Sequence, residues 1–289
     1  MVADVLALVL LQLAVGLAIC SLLTPSTDLS GGFFALHGLI ASFSLCLAWL
    51  VSGNGGFLLR REEGEAVHGA VAAPWAPPWF AGAVFVVALA AMVAHTLLAR
   101  SRPAVSLTLS KNLLFLSACC SVILLLSRVR VEPFASLPGI GRSWLAAGLL
   151  LGALLFGAVV WAMNLGHWYL VSTSLPFGLL VRATEVFALL VLARAAFALV
   201  ALGWAARLHA GPANEALANL LDPMRDGFFF WSRVAWGLLA PLILAPFVVK
   251  TARMKSNQAA TGLLYVGLVF VLVGELLAAY LTRRSGLPV

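Results

Sequence analysis

Eight apolar runs, each about twenty residues long, constrain this chain more than any other feature of its sequence. A helix needs about 20 apolar residues to cross the hydrocarbon core of a bilayer, and only helices and closed barrels satisfy their backbone hydrogen bonds there. Because the runs are continuous rather than alternating, they predict helices. We expect an all-α, polytopic integral membrane bundle of about eight transmembrane helices, forming a single domain over residues 1–289. The predicted spans are residues 5–23, 33–51, 80–99, 107–126, 144–165, 179–204, 229–249 and 260–281.

The composition leaves little chain for soluble chemistry. Of 289 residues, 63% are hydrophobic and 10% charged, with a mean hydropathy of +1.05, whereas soluble domains carry about 25% charged residues. The sequence contains no nucleophile elbow, no H-E-x-x-H and no glycine-rich phosphate loop, which disfavours a standalone enzyme. The formal charge of +7 forms no basic stripe interleaved with aromatic residues, so nucleic acid is not an expected partner. The expected partners are membrane lipid and other protein subunits of a membrane complex.

Short basic loops suggest an orientation in the membrane. We call the side on which the first span begins side A, and the opposite side side B. The loops "ARSR" and "KTARMK" lie on side B, and the positive-inside rule works best for short loops near span ends. We therefore expect side B to face the cytoplasm in a multi-pass protein of the cell membrane, namely a bacterial inner membrane. The first span lacks a preceding basic segment and a following cleavage site, so we expect it to be retained.

Three histidines from three different spans lie at a similar depth near side B. His37 is about one turn into the second span, His95 about one turn before the third span ends, and His167 at the end of the fifth. A six-coordinate b-type haem takes one imidazole on each face of the porphyrin, and His37 and His95 match best in depth. His167 is a candidate ligand of a second haem or a hydrogen-bond donor to a quinone. The four cysteines form neither C-x-x-C nor C-x-x-C-H, so neither an iron–sulfur cluster nor covalent haem is expected.

Further polar side chains near side B are suited to lining a quinone pocket. Asn164 and His167 are three residues apart and are predicted to share one face of the fifth span. Each residue also has a simpler explanation: a lone intramembrane histidine often bonds a neighbouring helix, aromatic residues form interfacial belts, and lysines extend towards the surface. The predicted cofactor-binding residues are His37, His95, His167, Asn164, Tyr169, Lys111 and Glu185, with the three histidines as candidate metal ligands.

Two charges lie deeper in the bundle. Arg194 is near the middle of the sixth span, and Glu275 is in the side A half of the eighth. Intramembrane ionisable residues are costly and are functional candidates by default. If the two helices touch, Arg194 and Glu275 can form a structural ion pair that lowers the cost of burying both. The alternative is that Glu275 acts as a proton relay or as part of a second quinone site.

The chain resembles the eight-span membrane anchor subunits of the DMSO-reductase and polysulfide-reductase class. The resemblance depends on the span count, the overall length, the early His37 and the pattern "LVGELL" around Glu275. Such anchors hold a quinol site and pass electrons to an iron–sulfur partner. The resemblance therefore implies a quinone-reactive subunit of an oxidoreductase complex whose catalytic partners are on other chains.

Three functions remain open. The first is an integral membrane subunit of a multi-subunit electron-transfer complex, respiratory or photosynthetic, binding b-type haem, quinone or both near one leaflet. The second is a small-molecule transporter, in which Pro241 and Pro246 break the seventh span. The third is a non-catalytic scaffold or assembly subunit. The shared depth of the histidines favours the first.

Overall fold

The computed structural model describes residues 2–24, 29–52, 79–101, 104–127, 140–171, 175, 178–207 and 212–289. Nine helices and no strands occur in these ranges, and eight of the helices are long and apolar enough to cross a membrane. The predicted all-α, eight-span architecture is therefore confirmed. The helices are α1 (Val2–Leu23), α2 (Gly31–Val51), α3 (Phe80–Ser101), α4 (Ala104–Leu126), α5 (Ile140–Val171), α6 (Gly178–Arg207), α7 (Pro212–Leu221), α8 (Pro223–Arg253) and α9 (Asn257–Ser285).

Ion pairs join helix ends on both sides of the bundle, as expected for spans that alternate in direction. On side A, Asp4 at the start of α1 pairs with Arg283 at the end of α9, with 3.5 Å between Oδ2 and Nη1. On side B, Glu185 near the start of α6 pairs with Arg253 at the end of α8 at 2.6 Å. Helices α5, α6, α8 and α9 have 29 to 32 residues. At 1.5 Å per residue they span about 45 Å, more than the hydrocarbon core requires, so they tilt or extend beyond it.

Helix α1 is at the centre of the bundle and packs against α2, α4, α5 and α9. Its contact with α5 is made by glycines, because a Cβ placed on Gly16 would overlap the carbonyl oxygen of Ala153 and lie 2.7 Å from Gly157 Cα. Small residues allow helix backbones to approach closely in lipid, where van der Waals packing rather than water exclusion holds helices together. This contact joins the α1–α4 half of the bundle to the α5–α9 half.

Helix α8 continues past Pro241 and Pro246, the two prolines that would break this span in the transporter alternative. Residues Arg233–Leu239 form a π-helical turn, and Pro246 lies inside the regular helix that follows. In an α-helix the amide of residue 241 would bond the carbonyl of Gly237, but proline has no amide hydrogen. Arg233 Nη1 donates to that carbonyl at 2.8 Å. Arg233 therefore supplies the hydrogen bond to the Gly237 carbonyl oxygen that Pro241 cannot donate.

The chain after α9 folds back into the bundle on side A. Gly286 adopts a left-handed conformation, with φ of 71°, and ends the helix. Leu287 and Val289 are buried, and they belong to a small apolar cluster with Leu220 of α7 and Phe230 of α8. The short helix α7 packs against this cluster, with Leu217 and Leu220 facing inward and Leu221 exposed.

Candidate functional site

Two groups of polar side chains are buried at different depths of the bundle. We call the first the imidazole site; it consists of two hydrogen-bonded pairs near side B, His37 with the half-buried Asn164 and His95 with Ser110. We call the second the arginine–glutamate cluster; it contains Gln12, Arg194, Arg233 and Glu275, nearer the middle and side A. The four residues of the imidazole site lie six or seven residues from a side B helix end, which is about 9–10 Å at the rise of an α-helix. His37 and His95 therefore lie at the same depth below side B, as predicted.

His37 is held in a defined orientation by its own helix. Its Nδ1 lies 2.8 Å from the carbonyl oxygen of Phe33, and its ring packs against the Phe33 ring at a centroid distance of 4.3 Å. Because a carbonyl can only accept, Nδ1 carries the hydrogen and Nε2 presents a lone pair. The side-chain amide Nδ2 of Asn164, from α5, donates to that nitrogen at 3.3 Å.

His95 has a similar orientation, but its second nitrogen is unused. Its Nδ1 lies 3.0 Å from the main-chain oxygen of Ser110 in α4, and the Ser110 hydroxyl lies 2.8 Å from the same nitrogen. Nδ1 must carry the hydrogen in order to donate to the main-chain oxygen, and in this tautomer Nε2 presents a lone pair. That nitrogen is buried and has no hydrogen-bond partner among the described residues. The side chain is 3% exposed, so lipid or water at the surface does not satisfy it.

The packing of α2 against α3 tests whether a haem fits between these two histidines. A Cβ on Gly38, the residue after His37, would overlap Thr96 Oγ1 and lie 3.3 Å from His95 Cδ2. A Cβ on Gly31 would overlap the carbonyl oxygen of Ala99. A six-coordinate haem needs its two imidazoles on opposite faces of a porphyrin. Because α2 and α3 touch beside the two histidines, a porphyrin between His37 and His95 would require these helices to move apart. The b-type haem stays a prediction.

The other residues predicted for this site are distributed differently. His167 is exposed on α5, so the prediction that it shares an inward face with Asn164 is wrong. Three residues correspond to about 300° around a helix, and the remaining 60° is enough to turn a side chain out of a narrow interface. Lys111 is exposed, Glu185 pairs with Arg253 at the surface, and Tyr169 is buried. Histidines His68 and His209 lie outside the described residues.

The arginine–glutamate cluster contains the ion pair predicted from the sequence. Arg194 Nε lies 3.1 Å from Glu275 Oε1, and Nη2 lies 3.4 Å from Oε2. The same Nη2 donates to the main-chain oxygen of Val289 at 3.1 Å. Arg194 is 3% exposed and Glu275 1% exposed. Burial of such a pair is tolerated when its hydrogen-bonding groups are paired as well.

Two members of the cluster were not predicted. Arg233, placed near the side A end of its span by the sequence, is 1% exposed, and its Nη2 lies 3.3 Å from Glu275 Oε1. Gln12 of α1 donates from Nε2 to Glu275 Oε2 and to the Leu149 carbonyl, each at 3.3 Å. Both residues are polar interruptions of an apolar run, which is the signal that could have identified them. The carboxylate thus accepts from three helices, an arrangement that favours the structural role over the proton relay.

Glycines on the neighbouring helices make room for the cluster. A Cβ on Gly152 of α5 would overlap Glu275 Oε2 and lie 2.7 Å from Gln12 Nε2. A Cβ on Gly237 of α8 would overlap Arg233 Nη1 and lie 2.6 Å from Gly274 Cα of α9. The backbones therefore come close enough for the guanidinium of Arg233 to reach the carboxylate across the α8–α9 crossing. The described residues include no group of three or more His, Cys, Asp or Glu arranged to hold a metal ion.

Comparison with known proteins adds no relative. No protein-family model matches the chain, and no curated protein matches it significantly. The resemblance to reductase anchor subunits is therefore still a prediction.

Proposed function

We propose that the protein is an integral membrane subunit of a multi-subunit electron-transfer complex and that its imidazole site binds a quinone. The observation that supports this most directly is the buried Nε2 of His95, which has no partner among the described residues. An unsatisfied buried acceptor costs about 1–3 kcal/mol. A ligand with a hydroxyl group supplies the missing donor, and a quinol is the membrane-soluble ligand of that kind that an electron-transfer subunit would bind.

The residues of the site have complementary roles in this proposal. A quinone supplies two-electron, two-proton redox chemistry when it is bound. Ser110 fixes the His95 ring through Nδ1, so Nε2 is directed to accept a hydroxyl proton. Phe33 fixes the His37 ring in the same way, and the Asn164 amide on its Nε2 is a donor that can turn to a carbonyl oxygen. A neutral imidazole is suited to this step because its free ring nitrogen accepts a proton.

The proposal is built on the quinone rather than on the predicted b-type haem, because a porphyrin between His37 and His95 would require α2 and α3 to move apart. Electrons must then come from or pass to a partner subunit. This agrees with the sequence, which contains neither an iron–sulfur motif nor a haem-attachment motif. We place the protein in the cell membrane, the bacterial inner membrane, with side B and its quinone facing the cytoplasm.

Purification of the complex from native membranes in a mild detergent tests this function. We expect copurifying redox subunits, a quinone in the organic extract, and oxidation of an added short-chain quinol by the complex. A reduced-minus-oxidised spectrum reports any haem independently. A preparation that has neither quinone nor quinol activity but is fully assembled would instead indicate a scaffold subunit. Uptake of a small molecule by vesicles containing the chain alone would indicate a transporter.

A further inference from the structure

We propose that the indole N–H of Trp161 donates to an oxygen of the quinone, beside the side-chain amide of Asn164. The observation that supports this is that Trp161 Nε1 is buried and has no hydrogen-bond partner among the residues that the structure describes. An indole nitrogen can only donate, and a buried tryptophan N–H usually finds an acceptor. The inference rests on the proposed function, because the quinone supplies that acceptor.

Trp161 lies on the face of α5 that presents Asn164 to α2. The two residues are three positions apart, and Trp168 follows seven positions after Trp161, so the three side chains form one stripe along the helix. Asn164 Nδ2 lies 3.3 Å from His37 Nε2, which places this stripe against α2. The indole of Trp161 therefore belongs to the same region as the pair of His37 and Asn164, about 4.5 Å further from side B along α5 than Asn164.

The ring of Phe33 connects Trp161 to His37. Its centroid lies 4.3 Å from that of the His37 ring, 6.0 Å from Trp161 and 5.8 Å from Trp168, and both indoles meet it edge to face. The Phe33 side chain is fully buried. Aromatic rings pack favourably in edge-to-face or offset-stacked pairs, so these side chains suit the flat ring of a quinone better than a charged ligand.

The hydrogen-bonding groups of the region complement the two redox states of a quinone. His95 Nε2 presents a lone pair and accepts only from a hydroxyl, which the reduced form carries. Trp161 Nε1 and Asn164 Nδ2 are donors, and a carbonyl oxygen has two lone pairs with which to accept from both. We therefore expect Trp161 to strengthen the binding of the oxidised quinone.

An interfacial belt does not explain this tryptophan. Tryptophans in such belts direct their polar end to the headgroups and to water, whereas Trp161 Nε1 is buried. A bound water molecule is the competing acceptor. It would leave the affinity for quinone independent of the indole N–H, so binding measurements distinguish the two.

Equilibrium dialysis of the purified, quinone-depleted complex tests the inference, with a short-chain benzoquinone and a short-chain naphthoquinone as oxidised probes. Trp161→Phe keeps an aromatic ring and removes the N–H, so we expect Kd to rise about fivefold, the effect of one hydrogen bond. Trp168→Phe is the matched control, because it removes an indole from the same Phe33 ring, and it should leave Kd unchanged. A Kd of Trp161→Phe equal to that of wild type would overturn the inference and leave the quinone function intact. A wild-type complex that binds neither probe would contradict the proposed function itself.

A density map of the wild-type complex with bound quinone gives a readout that requires no variant to fold. A quinone oxygen should lie within about 3.2 Å of Trp161 Nε1. A quinone bound elsewhere, or a water in contact with the indole nitrogen in its place, would overturn the inference.

Discussion

The two polar regions of this bundle differ in the hydrogen bonding of one central group each, the Glu275 carboxylate and the His95 imidazole. In the arginine–glutamate cluster, both oxygens of Glu275 are occupied by donors from three other helices. In the imidazole site, each histidine is fixed through Nδ1 to a main-chain oxygen, and His95 Nε2 has no partner among the described residues. Glu275 therefore joins helices, although Gln12 Oε1, Arg194 Nη1 and Arg233 Nε around it have no partner among the described residues. The comparison assigns a structural role to Glu275, and it leaves His95 Nε2, on an oriented ring, as the group available to a ligand.

The largest effect on stability is expected from Glu275→Gln. The substitution leaves Arg194 and Arg233 buried without a counter-charge, and breaking a buried ion pair costs about 3–5 kcal/mol. We expect little folded protein after detergent extraction, measured as the yield of the monodisperse peak in size-exclusion chromatography. Glu185→Gln is the matched control, because its pair with Arg253 is exposed and contributes at most about 1 kcal/mol. Equal yields of the two variants would show that the arginine–glutamate cluster does not stabilise the fold.

The largest effect on activity is expected from His95→Gln. Loss of a positioned proton acceptor typically lowers the rate by about 10²-fold or more, so quinol oxidation by the purified complex should fall by that factor. Stability should fall by about 1–3 kcal/mol, because the two contacts of Nδ1 with Ser110 are lost. Stopped-flow quinol oxidation and thermal unfolding of the same preparation separate the two effects. A variant that loses stability but keeps its rate would show that His95 stabilises the fold and takes no part in quinol oxidation.

Gly152→Ala should destabilise the bundle without removing any charge. The added Cβ would overlap Glu275 Oε2 and lie 2.7 Å from Gln12 Nε2, and such overpacking costs about 1–3 kcal/mol. Gly203→Ala in α6 is the control, because its Cβ would meet no atom within 4 Å and alanine favours a helix. Chemical or thermal unfolding of both variants checks the difference. Equal stability of the two would show that the cluster is less tightly packed than its geometry indicates.

The smallest effect is expected from Asn164→Ala. The change removes the 3.3 Å hydrogen bond to His37 Nε2, which is worth about 1 kcal/mol, and it frees a second imidazole nitrogen. We expect a small decrease in Tm together with a change in the Km for quinol rather than in kcat. Steady-state kinetics over a range of quinol concentrations measures both constants. A large fall in Tm with unchanged kinetics would indicate that Asn164 only joins α5 to α2.

The sequence predicts how deep a residue lies better than it predicts which way the residue faces. Apolar run length places each residue along its helix, at 1.5 Å per position, and this was sufficient for the eight spans, for the shared depth of His37 and His95, and for the contact between Arg194 and Glu275. Rotation about the axis is not encoded in helices that are apolar on all sides. For that reason His167 was expected to point inward and is exposed.

Arg233 and Gln12 show a second limit of sequence reasoning. Each is a single polar residue in an apolar run, and their meeting at Glu275 depends on helices α1, α8 and α9 converging at one point. That convergence is made possible by close approaches at Gly152, Gly237 and Gly274. The sequence contains the glycines, but only the packed structure shows which helices they bring together.

Quinone content of the purified protein tests the central claim most directly. Organic extracts of wild type, His95→Gln and His167→Gln would be quantified per mole of protein; His167 is the matched control because it is the exposed histidine of the same side of the membrane. We predict about one quinone per protein in wild type and in His167→Gln, and a loss of at least about tenfold in His95→Gln, the size expected for a buried hydrogen bond worth about 1.4 kcal/mol or more. Wild-type protein without quinone, or a His95→Gln variant that retains it fully, would contradict the account.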